Sequence, residues 1–323
     1  MLRVPCNISD EDLDRLFAVT PDDEVEAFTG YLKEIISKKG TFPDKISINM
    51  IAKRSGLGRT QLVRFPVNRR SLISVARAFE LSLEETADLY AHCGLFLSPY
   101  RNSDKDFIFE KTDNLSKIDD NTLKFINTTE EISALFELII EHDYENADAS
   151  DEFVEIIKDI RSRFPASITK NADTEKIDQL LDRLCTAIHR EASGYGWIVL
   201  EKKDPLTNTK NNAERTTLYE IAKVLDFDLE ETEMLYRSYG YTLAPEYIKF
   251  DAFIIWLHDQ DISKSSQAYL YKLVCSNRDF VKSGNWVCTK PDHQDIERLL
   301  CIKESHLKTK ARIKPLEKEE PDF

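Results

Sequence analysis

Glycine and proline are scarce in this chain of 323 residues, which has nine of one and eleven of the other. Sandwiches and barrels need many tight turns, so this scarcity argues for helices. Close cysteine pairs are missing as well. Cys6, Cys93, Cys185, Cys275, Cys288 and Cys301 are scattered and form no C-x-x-C. That excludes the usual signature of a disulfide framework and favours a reducing compartment, with the cytoplasm as the expected location. No apolar run approaches the roughly 18 residues that a bilayer requires. Met1 to Asp14 turns acidic without the apolar stretch of a signal peptide, so no membrane is expected. Nucleophile elbow, P-loop, H-E-x-x-H and dinucleotide fingerprint are all absent. The expectation is therefore a protein that is not an enzyme and uses no cofactor. Cys288, His293, Cys301 and His306 are zinc-ligand types, but their C-x4-H-x7-C-x4-H spacing matches no common finger. They read as scattered structural residues, and no metal is expected.

Hydrophobic residues make up 41% of the chain and charged residues 32%, a balance that builds a packed core. Apolar residues recur at helical spacing, and the fold class is expected to be all-α. The spacing predicts helices over 9–17, from 25 to the stop at Gly40, and over 46–55, 59–65, 69–79 and 83–93. Further helices are predicted over 130–142, 153–164, 181–189, 250–258 and 266–275. Ser9 is the expected N-cap of the first. Ile51, Leu57, Leu62 and Phe65 are expected in a core, and Cys93, Cys185 and Cys275 as small buried apolar side chains.

Net charge is −14, which opposes nucleic-acid binding when taken alone. The distribution reverses that. Residues 1–34 hold nine acids and three bases, and residues 110–160 hold fifteen acids and four bases. Between them, Lys45 to Phe79 holds eight bases and no acid. A solvated surface ordinarily mixes both signs, so a run of one sign in an acidic protein suggests a polyanionic partner.

An internal match lies at an offset of 146 residues. Ser71 to Pro99 aligned on Thr217 to Pro245 gives eleven identities in 29 positions, including the run Leu83-Glu84-Glu85-Thr86 on Leu229-Glu230-Glu231-Thr232. Gly94 falls on Gly240, Pro99 on Pro245, and Phe107-Ile108 on Phe253-Ile254. Helical periodicity alone matches apolar classes and does not reproduce such a run. The second copy differs in charge: 191–225 carries five bases and five acids. A turn-rich stretch, 203–208, stands where the first copy has its third helix, which suggests that the second copy has lost that helix.

Residues 28–109 resemble the Xre/Cro family of helix-turn-helix proteins. Ile51-Ala52-Lys53-Arg54-Ser55-Gly56-Leu57 stands where the family has its second helix and turn. Gly58-Arg59-Thr60-Gln61-Leu62-Val63-Arg64-Phe65 stands where it has the recognition helix, shortened by Pro66. The resemblance implies a five-helix domain over 25–112, after an arm at 1–24. An acidic helical connector would follow at 113–175, then a degenerate second copy at about 176–258 (the repeat itself over 181–256). A C-terminal helical region and disordered tail would fill 259–323. It implies a DNA-binding transcriptional regulator that puts its third helix in the major groove of double-stranded DNA. Arg59, Thr60, Gln61 and Arg64 would face the bases, with Arg on guanine and Gln on adenine. Lys53, Arg54, Arg69 and Arg70 would clamp the backbone. The acidic middle and the second copy would serve a homodimer or a protein partner. The alternative is a protein-interaction module, such as an adaptor, antitoxin or inhibitor, that uses this fold and the acidic surface without DNA.

Overall fold

The computed structural model describes residues 8–39, 46–65, 67–97, 102–111, 138–139, 141–144, 149–163, 174–195, 215–260 and 263–275. These residues are helical as expected, and no strand occurs among them. In order the helices are α1 (Asp10–Ala18), α2 (Pro21–Lys38), α3 (Ile48–Ser55), α4 (Arg59–Leu62), α5 (Arg69–Ala78), α6 (Leu83–His92) and α7 (Asn102–Lys111). They continue with α8 (Asp151–Arg163), α9 (Thr174–Gly194), α10 (Arg215–Val224), α11 (Leu229–Ser238), α12 (Lys249–Asp259) and α13 (Lys264–Cys275). None of these is long and apolar enough to cross a membrane.

The starts are set by short polar caps. Ser9 Oγ accepts the Asp12 N–H at 3.2 Å, and Ser47 Oγ accepts the Met50 N–H at 3.2 Å. Thr20 and Asp23 form a reciprocal capping box ahead of Pro21, so α2 begins four residues before Val25. A boundary at 24/25 would therefore cut a helix: the described part of the expected arm, from residue 8, holds α1 and the first turn of α2.

Two cores form. The first gathers Phe28, Leu32 and Ile36 of α2, Ile51 of α3, Leu62, Phe65, Leu72 and Val75 of α5, Leu89 of α6 and Phe107 of α7. Leu57 packs at its edge. The second gathers Ile157 and Ile160 of α8, Leu184 and Ile188 of α9, and the apolar faces of α10 to α13. Leu13 of α1 is also buried in this second core, and Lys249 of α12 donates to the Val19 carbonyl. The N-terminal helix thus belongs with the C-terminal unit. α8, expected in a connector, likewise contributes a full apolar face to that core. Cys93 and Cys185 are buried and in no disulfide among the described residues.

Positions 146 apart share backbone geometry. Among the described residues, Glu80 and Asp226 are the non-glycine residues at positive φ, at 52° and 57°. Gly94 and Gly240 follow at 67° and 78°. Ser82 with Glu85 and Asp228 with Glu231 make matching capping boxes at the starts of α6 and α11. The Tyr90 hydroxyl donates to the Arg69 carbonyl at 3.2 Å, and the Tyr236 hydroxyl to the Arg215 carbonyl at 2.9 Å.

The two units meet through these same turns. Leu95 and Tyr241 form an isolated antiparallel bridge. Phe96 N–H donates to the Gly240 carbonyl at 2.9 Å, and Thr242 N–H to the Gly94 carbonyl at 3.1 Å. Arg69 adds a second donor to Gly240 and pairs with Asp104. Arg215 adds a second donor to Gly94 and pairs with Asp251 through Nη1 at 2.8 and 2.6 Å. Each contact has a partner contact 146 residues away, except that Asp104 answers to Asp251, one residue further. Five steps separate Pro99 from Asp104 and six separate Pro245 from Asp251. The Arg–Asp pairs therefore set Phe107-Ile108 against Ile254-Ile255, which corrects the match to Phe253-Ile254 by one residue.

Candidate nucleic-acid interface

α3 ends where Gly56 turns left-handed, at φ 70° and ψ 20°. The Leu57 N–H then reaches back to the Ala52 carbonyl at 2.9 Å, closing the helix end. A side chain at 56 would meet open space, so glycine is needed there for its backbone freedom alone. Gly58 precedes α4, which is a single turn. Residues 63–65 bend away from helical geometry ahead of Pro66, so the segment expected as helix to 65 stops at 62. Leu62 and Phe65 anchor the segment, the latter with its ring 5.7 Å from that of Phe28. Asn68 Oδ1 caps α5 by accepting the Ser71 N–H at 2.9 Å.

This local plan turns most of the candidate residues outward. Lys53, Arg59, Thr60, Gln61, Arg64 and Arg70 are all exposed. Among the described residues, none of Lys53, Arg59, Arg64 and Arg70 has an acidic partner. Cations elsewhere are mostly matched: Arg77 pairs with Glu110 at 3.0 Å, and Lys39 with Glu85 at 2.5 Å. Four unmatched cations on the α3–α4–α5 segment leave a local positive field in an acidic protein.

Three of the candidate residues also make contacts within the fold. Arg69, placed beside Arg70 as a backbone clamp, is instead half-buried in the junction between units, held by Asp104 and the Gly240 carbonyl. Arg54 is exposed, but its Nε donates to the Ala78 carbonyl at 3.0 Å and its guanidinium lies 5.4 Å from the Phe79 ring centre. It closes the C-terminal end of α5. Gln61 Oε1 accepts the Gly58 N–H at 2.7 Å. That bond takes one of the two lone pairs of Oε1 and fixes the direction of the Gln61 amide, leaving the second lone pair and the amide N–H groups to meet a base.

Arg215, Asp104 and Asp251 were not among the expected functional residues. The signal was present, because Arg69 and Arg215 obey the 146 offset just two positions before the matched window opens. The second copy's counterpart of the α3–α4 segment, with the expected loss of its third helix, lies outside the described residues. So do Trp197, Trp286 and the set Cys288, His293, Cys301 and His306, and the whole of the acidic stretch 113–137. Comparison of the chain with protein-family models, with curated proteins and with solved structures gives no match.

Proposed function

We propose that this chain is a DNA-binding transcriptional regulator. Its first unit would be a helix-turn-helix domain of the Xre/Cro kind, with a degenerate copy of that domain in the second unit. One observation carries the reading: Lys53, Arg59, Arg64 and Arg70 stand exposed and unmatched on a helix–turn–helix segment while the chain as a whole carries −14. Arg59 and Arg64, flanking α4, are the base-reading candidates. Thr60 and Gln61 add donors, and Lys53 and Arg70 supply phosphate contacts.

The test is selection from a random duplex library at two salt concentrations, comparing the native chain with Arg59→Ala/Arg64→Ala. The native chain is expected to enrich one motif. The double variant should bind that motif about 30-fold or more weakly, since each guanine contact is worth about 1–3 kcal/mol. Its helical circular dichroism should stay unchanged, because both side chains are exposed. Equal, salt-abolished binding by both proteins would remove the reading.

The single turn of α4 favours a second reading. So short an element presents few side chains to a groove, and the fold with its acidic surface would then serve a protein partner.

A further inference from the structure

We infer that the chain reads a single, non-palindromic duplex site as a monomer, because its own second unit fills the face by which two copies would pair. The inference rests on the DNA-binding reading above and specifies its target.

A two-fold interface is recognised by reciprocity: residue i meets j, and j meets i. The junction between the units has this form within one chain. Phe96 donates to Gly240 and Thr242 to Gly94, with Phe96 and Thr242 themselves 146 apart. Arg69 reaches Gly240 and Arg215 reaches Gly94. Asp104 and Asp251 are wholly buried behind these arginines. These donors and acceptors are satisfied within the chain, and a second chain would have to displace the first chain's own half to use them.

Charge supplies the asymmetry. A palindromic site needs two equivalent cationic faces, one for each half. Around the start of α5 the first unit exposes Arg70, whose counterpart is Thr216. The counterparts of Arg69 and Arg77 are Arg215 and Lys223, exposed only 7% and 5%. Residues 191–225 have no net charge. At the sequence counterparts of Lys53, Arg59 and Arg64 the second copy has Val199, Pro205 and Lys210, so one copy carries the full cationic set, suited to one block of sequence shorter than the roughly 10 base pairs of a helical turn.

The full chain is tested with the duplex selected above. Sedimentation velocity is run on free chain and on complex across protein concentration. The expected result is a free species at the monomer mass of 37.4 kDa and a complex of one chain per duplex. The expected motif is a single block, and scrambling the sequence on either side of it leaves Kd unchanged. An inverted-repeat motif bound by two chains would overturn the inference while leaving the DNA-binding reading intact. A free dimer would overturn it likewise. Failure to enrich any duplex would remove the DNA-binding reading, and this inference would fall with it.

Discussion

Arg69 and Arg215 do the same structural job in the two units, yet their surroundings differ. Each hangs from the first turn of a helix, pairs with a buried aspartate and donates to a glycine carbonyl of the opposite unit. Arg69 keeps 17% of its side chain exposed and has exposed Arg70 beside it, whereas Arg215 keeps 7% and is followed by Thr216. The first unit is a scaffold with charge left over on its surface. The second repeats the same caps and turns, with Arg215 and Lys223, the counterparts of Arg69 and Arg77, drawn inward. Caps, left-handed turns and the junction can therefore be common to two units while the chemistry they present diverges, because those features depend on backbone and buried atoms and the surface does not.

The comparison breaks most severely at Arg215. Arg215→Met would leave Asp251 buried without its cation, at a cost of about 3–5 kcal/mol. Arg69→Met should cost less, since Arg69 is itself 17% exposed against 7% for Arg215; each carboxylate keeps one other donor, Tyr90 for Asp104 at 2.9 Å and the Ala244 N–H for Asp251 at 2.8 Å. Urea denaturation of both variants checks this, and equal losses would mean that the two junction halves are equally closed.

Glycine sharpens it next. Gly94 and Gly56 have nearly the same φ, at 67° and 70°. A Cβ at 56 meets nothing, but one at 94 would overlap the Arg215 guanidinium and Ile248 Cδ1. Gly56→Ala should cost only the left-handed strain, about 1–2 kcal/mol. Gly94→Ala adds an overpacking term of about 1–3 kcal/mol. Thermal melts giving the two variants the same midpoint would show that the junction yields freely around residue 94.

The last effect concerns pH. His92 of the first unit stacks parallel on Tyr31 at 3.9 Å and lies 3.7 Å from the ring of Tyr247 in the second. Its counterpart is Ser238, so this contact has no twin. Burial lowers the imidazole to about 4, against 6.5 when free. Between those values the unfolded chain holds more protons, so this contribution to stability is complete above about pH 6.5 and is lost as pH falls toward 4. Asp251 acts with the opposite sign. Burial, opposed by Arg215, pushes it up to about 6 from 3.8, and stability from this source declines as pH rises through that window. Unfolding free energies across pH 4–7 should show His92→Phe losing a rising component of at most about 1.4 kcal/mol per pH unit. Parallel curves for variant and native chain would mean that His92 titrates in the folded state as it does in water.

Much of this was legible in sequence because local physics decides it. Apolar spacing located α3, α5, α6 and α12, and Ser9 announced its own helix through a hydroxyl three residues from the N–H it accepts. Gly56 marked the turn, and Ile51, Leu62 and Phe65 were correctly placed inside. The 146 offset pointed at the matching halves through an identity run that periodicity does not produce. The stretch from Lys45 to Phe79 showed its charge without any fold.

Tertiary structure alone decided the remainder, because it depends on atoms far apart in the chain. Leu13 belongs to a core whose other members begin at Ile139, an assignment no local window contains. The Gln61 carbonyl accepts an N–H three residues earlier, at the start of the single turn α4. The register after Pro99 slips by one residue because Arg215 must meet Asp251. Arg69 reads in sequence as one more surface cation of a basic run. In the folded chain an acceptor 171 positions away and a buried aspartate draw it from the surface into the seam between the two units.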